Sequence, residues 1–76
     1  MRNIIILTDY PRQGQFIVSQ LAKIGKNQAW LSKQLNMFPS QLSAIIHGKH
    51  RPSLVTARNI ARVLDVSLDD FADTFD

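Results

Sequence analysis

Two groups of side chains in this sequence have types and spacing that could do chemistry together. One is the helical pattern Pro39-Ser40-Gln41-Leu42-Ser43-Ala44-Ile45-Ile46-His47, and the other is the loop Gly48-Lys49-His50-Arg51 behind it. A period of 3.6 residues turns Leu42, Ile45 and Ile46 to one side and Ser40, Gln41, Ser43, Ala44 and His47 to the other. A helix showing small, hydroxyl and amide side chains fits a DNA major groove, where base edges present donors, acceptors and thymine methyls. Lys49 and Arg51 have the charge to meet phosphates beside that groove. Other chemistries lack parts. His47 and His50 have no further ligands at metal-binding spacing. They also lack an acidic orienter for catalysis, because no Asp or Glu lies between residues 10 and 64. Gly48-Lys49 is not a P-loop, since no strand and no GxxxxGK spacing precede it. The expectation is a non-enzymatic chain with no cofactor and no metal.

Those side chains need a scaffold. Ala29, Leu31, Ser32 and Leu35 form a short helical pattern just upstream, and Asn36 follows at once. Asn tolerates the left-handed conformation that stops a helix and turns the chain. Pro39 then restarts a helix, where its missing N–H would have no intrahelical partner. Two helices joined by so short a turn, with a cationic loop after the second, read as helix-turn-helix.

Around this unit, from about Gln13 to Phe71, the chain resembles the Cro/phage-repressor (Xre-like) family of DNA-binding domains. The matching residues are Gln28 opening helix 2, Leu31 and Leu35 within it, the turn at Asn36-Met37, Gly48-Lys49 and Arg51-Pro52-Ser53. They continue with Ile60-Ala61 and with Leu64-Asp65-Val66-Ser67-Leu68-Asp69-Asp70-Phe71. The resemblance implies an all-α, five-helix fold. It implies that Gln28 contacts a phosphate and braces the start of helix 3. Base reading then falls on Pro39, Ser40 and Ala44, with Gln41 and Ser43 beside them. Phosphate clamping falls on the loop from His47 through Lys49 and His50 to Arg51.

Two positions depart from the family pattern. Pro39 stands where many relatives carry Gln, leaving only van der Waals contact there. Phe38 stands where a Ser or Thr cap is usual, so the helix start is expected to lack a side-chain cap and to need phosphate or water instead. Gln41 becomes the best adenine reader by chemistry. Many relatives also pair an Arg on helix 1 with a Glu at the end of helix 3. Leu21 and Ile46 occupy those places, which implies direct apolar contact.

The remaining helices follow from periodicity and punctuation. Helix 1 is expected from about Gln13 to Ile24, burying Ile17, Leu21 and Ile24 with Phe16 or Val18 on a flank. Thr8 or Asp9 is its cap, Pro11 lies in its first turn, and Gly14 weakens its start. Gly25 ends it. Helix 2 is expected over about Gln28 to Leu35, with Trp30 either an edge against helix 1 or a partner surface. Helix 3 is expected over about Pro39 to His47. Helix 4 is expected from about Leu54 to Leu64, capped by Ser53, with Leu54, Ala57, Ile60, Ala61 and Leu64 inward and Arg58 and Arg62 outward. Helix 5 starts after Ser67, with Asp69 and Asp70 at the positive end of its dipole and Val66, Leu68 and Phe71 inward. Phe75 is core, frayed end or dimer contact.

At 76 residues without cysteine, the chain is read as one small domain held by helix packing alone. Residues 1–12 are read as an N-terminal extended arm and residues 13–76 as the DNA-binding domain. The only β-like stretch is Asn3 to Tyr10, and its apolar run Ile4–Leu7 is too short for a membrane span or a signal peptide. The chain is therefore expected to be cytoplasmic, with no membrane partner and no second, ligand-binding domain. The net charge of +3 hides a division: eight Lys and Arg and no acid between Tyr10 and Leu64, then five Asp and no base from Asp65 onward. Such a basic body is a field directed at a polyanion.

The reading is a sequence-specific, Cro-like repressor that binds a pseudo-palindromic operator in double-stranded DNA as a homodimer, in a phage or plasmid setting. Pairing is expected through helix 5, as in many relatives, in preference to the apolar arm. The rival reading is an antitoxin or anti-repressor module whose arm and last helix bind a partner protein.

Overall fold

The computed structural model describes residues 10–75. Residues 1–9 of the expected extended arm, residues 1–12, are not among these, and Arg12 already belongs to the first helix. The expected caps Thr8 and Asp9 thus lie outside the described residues. Five helices follow in order: α1 (Arg12–Lys23), α2 (Gln28–Gln34), α3 (Pro39–Ile46), α4 (Leu54–Leu64) and α5 (Leu68–Ala72), with a closing 3₁₀ turn at Asp73–Phe75. Among the described residues there is no strand.

α3 lies at the centre of the packing. It contacts both α1 and α2, while α5 packs on α4 and the 3₁₀ turn returns to α1. The core collects Ile17 and Leu21 from α1, Leu31 from α2, and Leu42, Ile45 and Ile46 from α3. Ala57, Ile60 and Leu64 from α4 and Phe71 from α5 complete it. The expected replacements for the ion pair, Leu21 and Ile46, are both buried in this one cluster. Phe71 is fully buried, with its ring stacked at 5.7 Å on Phe16 and edge-on at 5.0 Å to Phe75. Phe75 is thus packed on the core from its 3₁₀ turn. Trp30 is half-buried against the core, with the Lys26 ammonium 5.5 Å from its ring centre.

Four helices stop in the same way. A residue with positive φ follows the last turn: Gly25 (69°), Asn36 (56°), Gly48 (77°) and Asp65 (58°). The next N–H then reaches back to a carbonyl five residues earlier: Lys26 to Leu21 (3.0 Å), Met37 to Ser32 (2.9 Å), Lys49 to Ala44 (2.8 Å) and Val66 to Ala61 (2.9 Å). This motif satisfies carbonyls the helix end leaves free. Helix starts use side-chain oxygens in three places. Asn27 accepts from Trp30 N–H, Ser53 from Thr56 N–H, and Ser67 from the N–H groups of Asp69 and Asp70.

Several expectations are corrected. Pro11 is the cap residue of α1, not part of its first turn. Ile24 is 43% exposed, because it sits at the C-terminal cap where the helix has already turned from the core. Leu54 is 65% exposed, because the first residue of α4 precedes the turn whose Ala57 reaches the core. Leu35 and His47 are cap residues just past their helices. Gly14 is more than a weak helix start. It is buried, and a Cβ built on it would overlap the carbonyl oxygen of Ile46. Its lack of a side chain is what lets α1 approach α3.

Candidate nucleic-acid interface

The buried stripe Leu42-Ile45-Ile46 fixes the rotation of α3 and so decides which residues face out. Ser40, Gln41 and His47 are exposed, while Ser43 and Ala44 are half-buried on the flanks. Ser40, Gln41 and Ala44 line one open groove together with Met37, Ile45 and His50. His50, sixth after Ala44 in the chain, arrives there because its N–H bonds the Ala44 carbonyl at 3.2 Å, beside that of Lys49. The left-handed Gly48 makes this reversal possible. A Cβ at Gly48 would also press on Pro11 Cγ at 3.0 Å, so the loop is held against the start of α1.

The tip of α3 lacks a side-chain cap, as expected. Phe38 has no side-chain acceptor and provides no cap, as its type dictates. The Phe38 N–H is nevertheless satisfied, because Gln41 reaches back and its Oε1 accepts that proton at 3.0 Å. Phosphate or water is not needed for this donor. One lone pair of Gln41 Oε1 is engaged, leaving its second lone pair and both Nε2 protons available. Pro39 stands at the first helical position and is exposed. Phe38 itself is 74% exposed.

His47 is tied back to its own helix. Its Nδ1 donates to the Ser43 carbonyl at 2.9 Å, and its ring lies 5.2 Å from that of Tyr10. It does not line the groove that holds His50. Gln28 opens α2 and is half-buried. Lys49 and Arg51 are exposed, as are Arg12, Lys23, Lys26, Lys33, Arg58 and Arg62. The Arg51 guanidinium sits 5.5 Å from the Phe75 ring centre, so the last turn of the chain steadies a loop cation. The sequence offered no signal for this contact, since Phe75 had three equivalent placements. Nor did it flag Tyr10 against His47, or Gln13 Nε2 near the Ile45 carbonyl at 3.5 Å.

Among the described residues, no three His, Cys, Asp or Glu side chains come together as a metal site. None of the described helices is long and apolar enough to cross a membrane.

A family profile described as helix-turn-helix matches residues 18–71, which include α2, α3, α4, the second half of α1 and most of α5. The chain belongs to the Cro/C1-type helix-turn-helix family. No curated protein and no solved structure gives a significant match. Membership makes this helix-turn-helix chain a DNA-binding regulatory domain of a non-enzymatic family. In helix-turn-helix terms α2 is the supporting helix and α3 the recognition helix. The groove of Ser40, Gln41, Ala44 and His50 lies on the recognition helix, and the cations Lys49 and Arg51 follow it in the chain.

Proposed function

We propose that this chain is a sequence-specific repressor that binds a pseudo-palindromic operator as a homodimer. The observation that carries this reading is the groove in which Ser40, Gln41, Ala44 and His50 meet, next to the exposed cations of the following loop. Recognition helices meet base edges with their N-terminal residues. Gln41 reads adenine through Nε2 and the free lone pair of Oε1, and Ser40 adapts to either partner. Ala44 and Pro39 make apolar contact. Lys49 and Arg51 neutralise phosphates, His50 meets phosphate or base at the groove edge, and Gln28 holds a phosphate from the start of α2. His47 contributes through Nε2 alone, since Nδ1 is occupied within α3.

Pairing through the helix-5 side is supported by the groove that Leu54, Ala57, Leu68, Ala72 and Phe75 line together with Pro52 and the charged Arg51 and Asp69. Leu54 in its lining is 65% exposed, and its neighbour in the chain, Val55, is 62% exposed. Binding as a dimer places two recognition helices about one helical turn apart, near 34 Å, and makes repression a matter of covering a promoter.

Gel shifts across a salt series on the DNA upstream of the protein's own reading frame test this reading. Lys49→Ala or Arg51→Ala should weaken operator and unrelated DNA alike. Each should flatten the slope of log K against log salt by about 0.9 per lost phosphate contact, doubled in a dimer. Gln41→Ala should cost roughly 1–3 kcal/mol per half-site on the operator and leave the salt slope unchanged. Equal loss on all sequences for Gln41→Ala would remove α3 as a base reader. Salt-insensitive association with a neighbouring protein, and no shift of DNA, would replace repression by partner binding.

A further inference from the structure

Phe38 has no structural employment that accounts for its exposure. It is 74% exposed, more than any other large hydrophobic side chain described. It does not belong to the core, nor to the partly buried residues packed on it. It gives α3 no cap.

Its place indicates the partner. Phe38 is the residue immediately before the first turn of the recognition helix, the end of such a helix that meets base edges. Its backbone N–H is held by Gln41, so residue 38 and the strongest polar reader are linked by one hydrogen bond of 3.0 Å. Proline follows it, fixing the chain at the tip. The cation beside the tip is the exposed Lys33 of α2, which lines one groove with Asn36, Met37 and Pro39, and no acid lies between residues 10 and 64. That charge favours DNA over an apolar protein surface. In the major groove the one apolar feature of the base edges is the thymine C5-methyl group, and Phe is among the side chains that contact it.

We infer that Phe38 is a specificity residue whose ring packs on a thymine methyl at the end of the half-site entered by the tip of α3. The inference rests on the DNA-reading role of α3 proposed above. Phe38 supplies by dispersion and burial the discrimination that Pro39, without a side-chain donor, does not. A Phe38–Pro39 pair reads a methyl where an amide would read a hydrogen-bonding edge.

The test uses the full chain and a site enriched from a random duplex pool. Wild type should enrich a half-site with a fixed thymine, and Phe38→Ala should enrich the same half-site with that position relaxed. In that site, replacing the thymine by deoxyuridine removes only the methyl group. This should weaken wild type roughly fourfold per half-site, the worth of one buried methyl-sized group, and leave Phe38→Ala unaffected. Phe38→Leu should keep part of the methyl dependence. Because the side chain is exposed, thermal melting of Phe38→Ala should match wild type, separating this effect from misfolding. An enriched site whose deoxyuridine penalty is the same in wild type and Phe38→Ala overturns the inference and leaves α3 as the reader. Failure of wild type to enrich any site overturns the DNA-reading proposal, and this inference with it.

Discussion

Gly14→Ala separates intrinsic helix propensity from packing, because the two act in opposite directions. Glycine inside a helix costs about 1 kcal/mol relative to alanine, so on propensity alone the change should stabilise α1. The fold reverses that sign. A Cβ at residue 14 overlaps the Ile46 carbonyl oxygen and lies 3.1 Å from Tyr10 Cβ. The first obstacle is backbone at the end of α3, so no rotamer change relieves it and no truncation of the Ile46 side chain would help. The two helices must separate by on the order of 1 Å to restore van der Waals distance. That separation loosens Ile17 and Leu21 against Ile45 and Ile46, all within 3% of full burial. Overpacking of this kind costs about 1–3 kcal/mol. Set against the propensity gain at the upper end of that range, the net loss is about 2 kcal/mol. For a domain of this size it should lower the melting midpoint by roughly 8–16 °C, at about 4–8 °C per kcal/mol. Urea denaturation followed by circular dichroism measures it directly. A Gly14→Ala protein as stable as wild type, or more so, would refute the close approach of α1 and α3. It would return Gly14 to being only a weak point in a helix.

Ile46→Glu should cost on the order of 3 kcal/mol by burying an unpaired charge at a fully buried site. Adding Leu21→Arg should recover part of that loss in chemical denaturation, and a double variant no better than the single would show that the two side chains do not meet. Ser53→Ala should cost about 1 kcal/mol, since the hydroxyl caps Thr56 N–H at 3.2 Å. An unchanged melting midpoint would mean that solvent satisfies that donor equally well.

The sequence alone determined the helical skeleton and the turn chemistry. Its apolar period set the buried stripe of α3, and Asn36, Pro39 and Gly48 bracketed that helix at both ends. Ser53 and Ser67 marked two more helix starts correctly. These features are local: capping, a left-handed stop and a 3.6-residue period each depend on a few neighbouring residues. The group of Ser40, Gln41 and Ala44 on one face followed from the same period. Tertiary structure decided what depends on residues distant in sequence. Periodicity treated Ile24 and Leu54 as core, but the core occupies only part of each helix's length and both lie at ends that overhang it. Gly14 looked like a defect until α3 came within contact of it. The Phe75 ring beneath Arg51 is a three-dimensional meeting that no spacing rule encodes. Gln41 shows both levels at once. Its type marked it as a reader, and only the fold showed that the same side chain also accepts from the Phe38 N–H at the cap of its own helix.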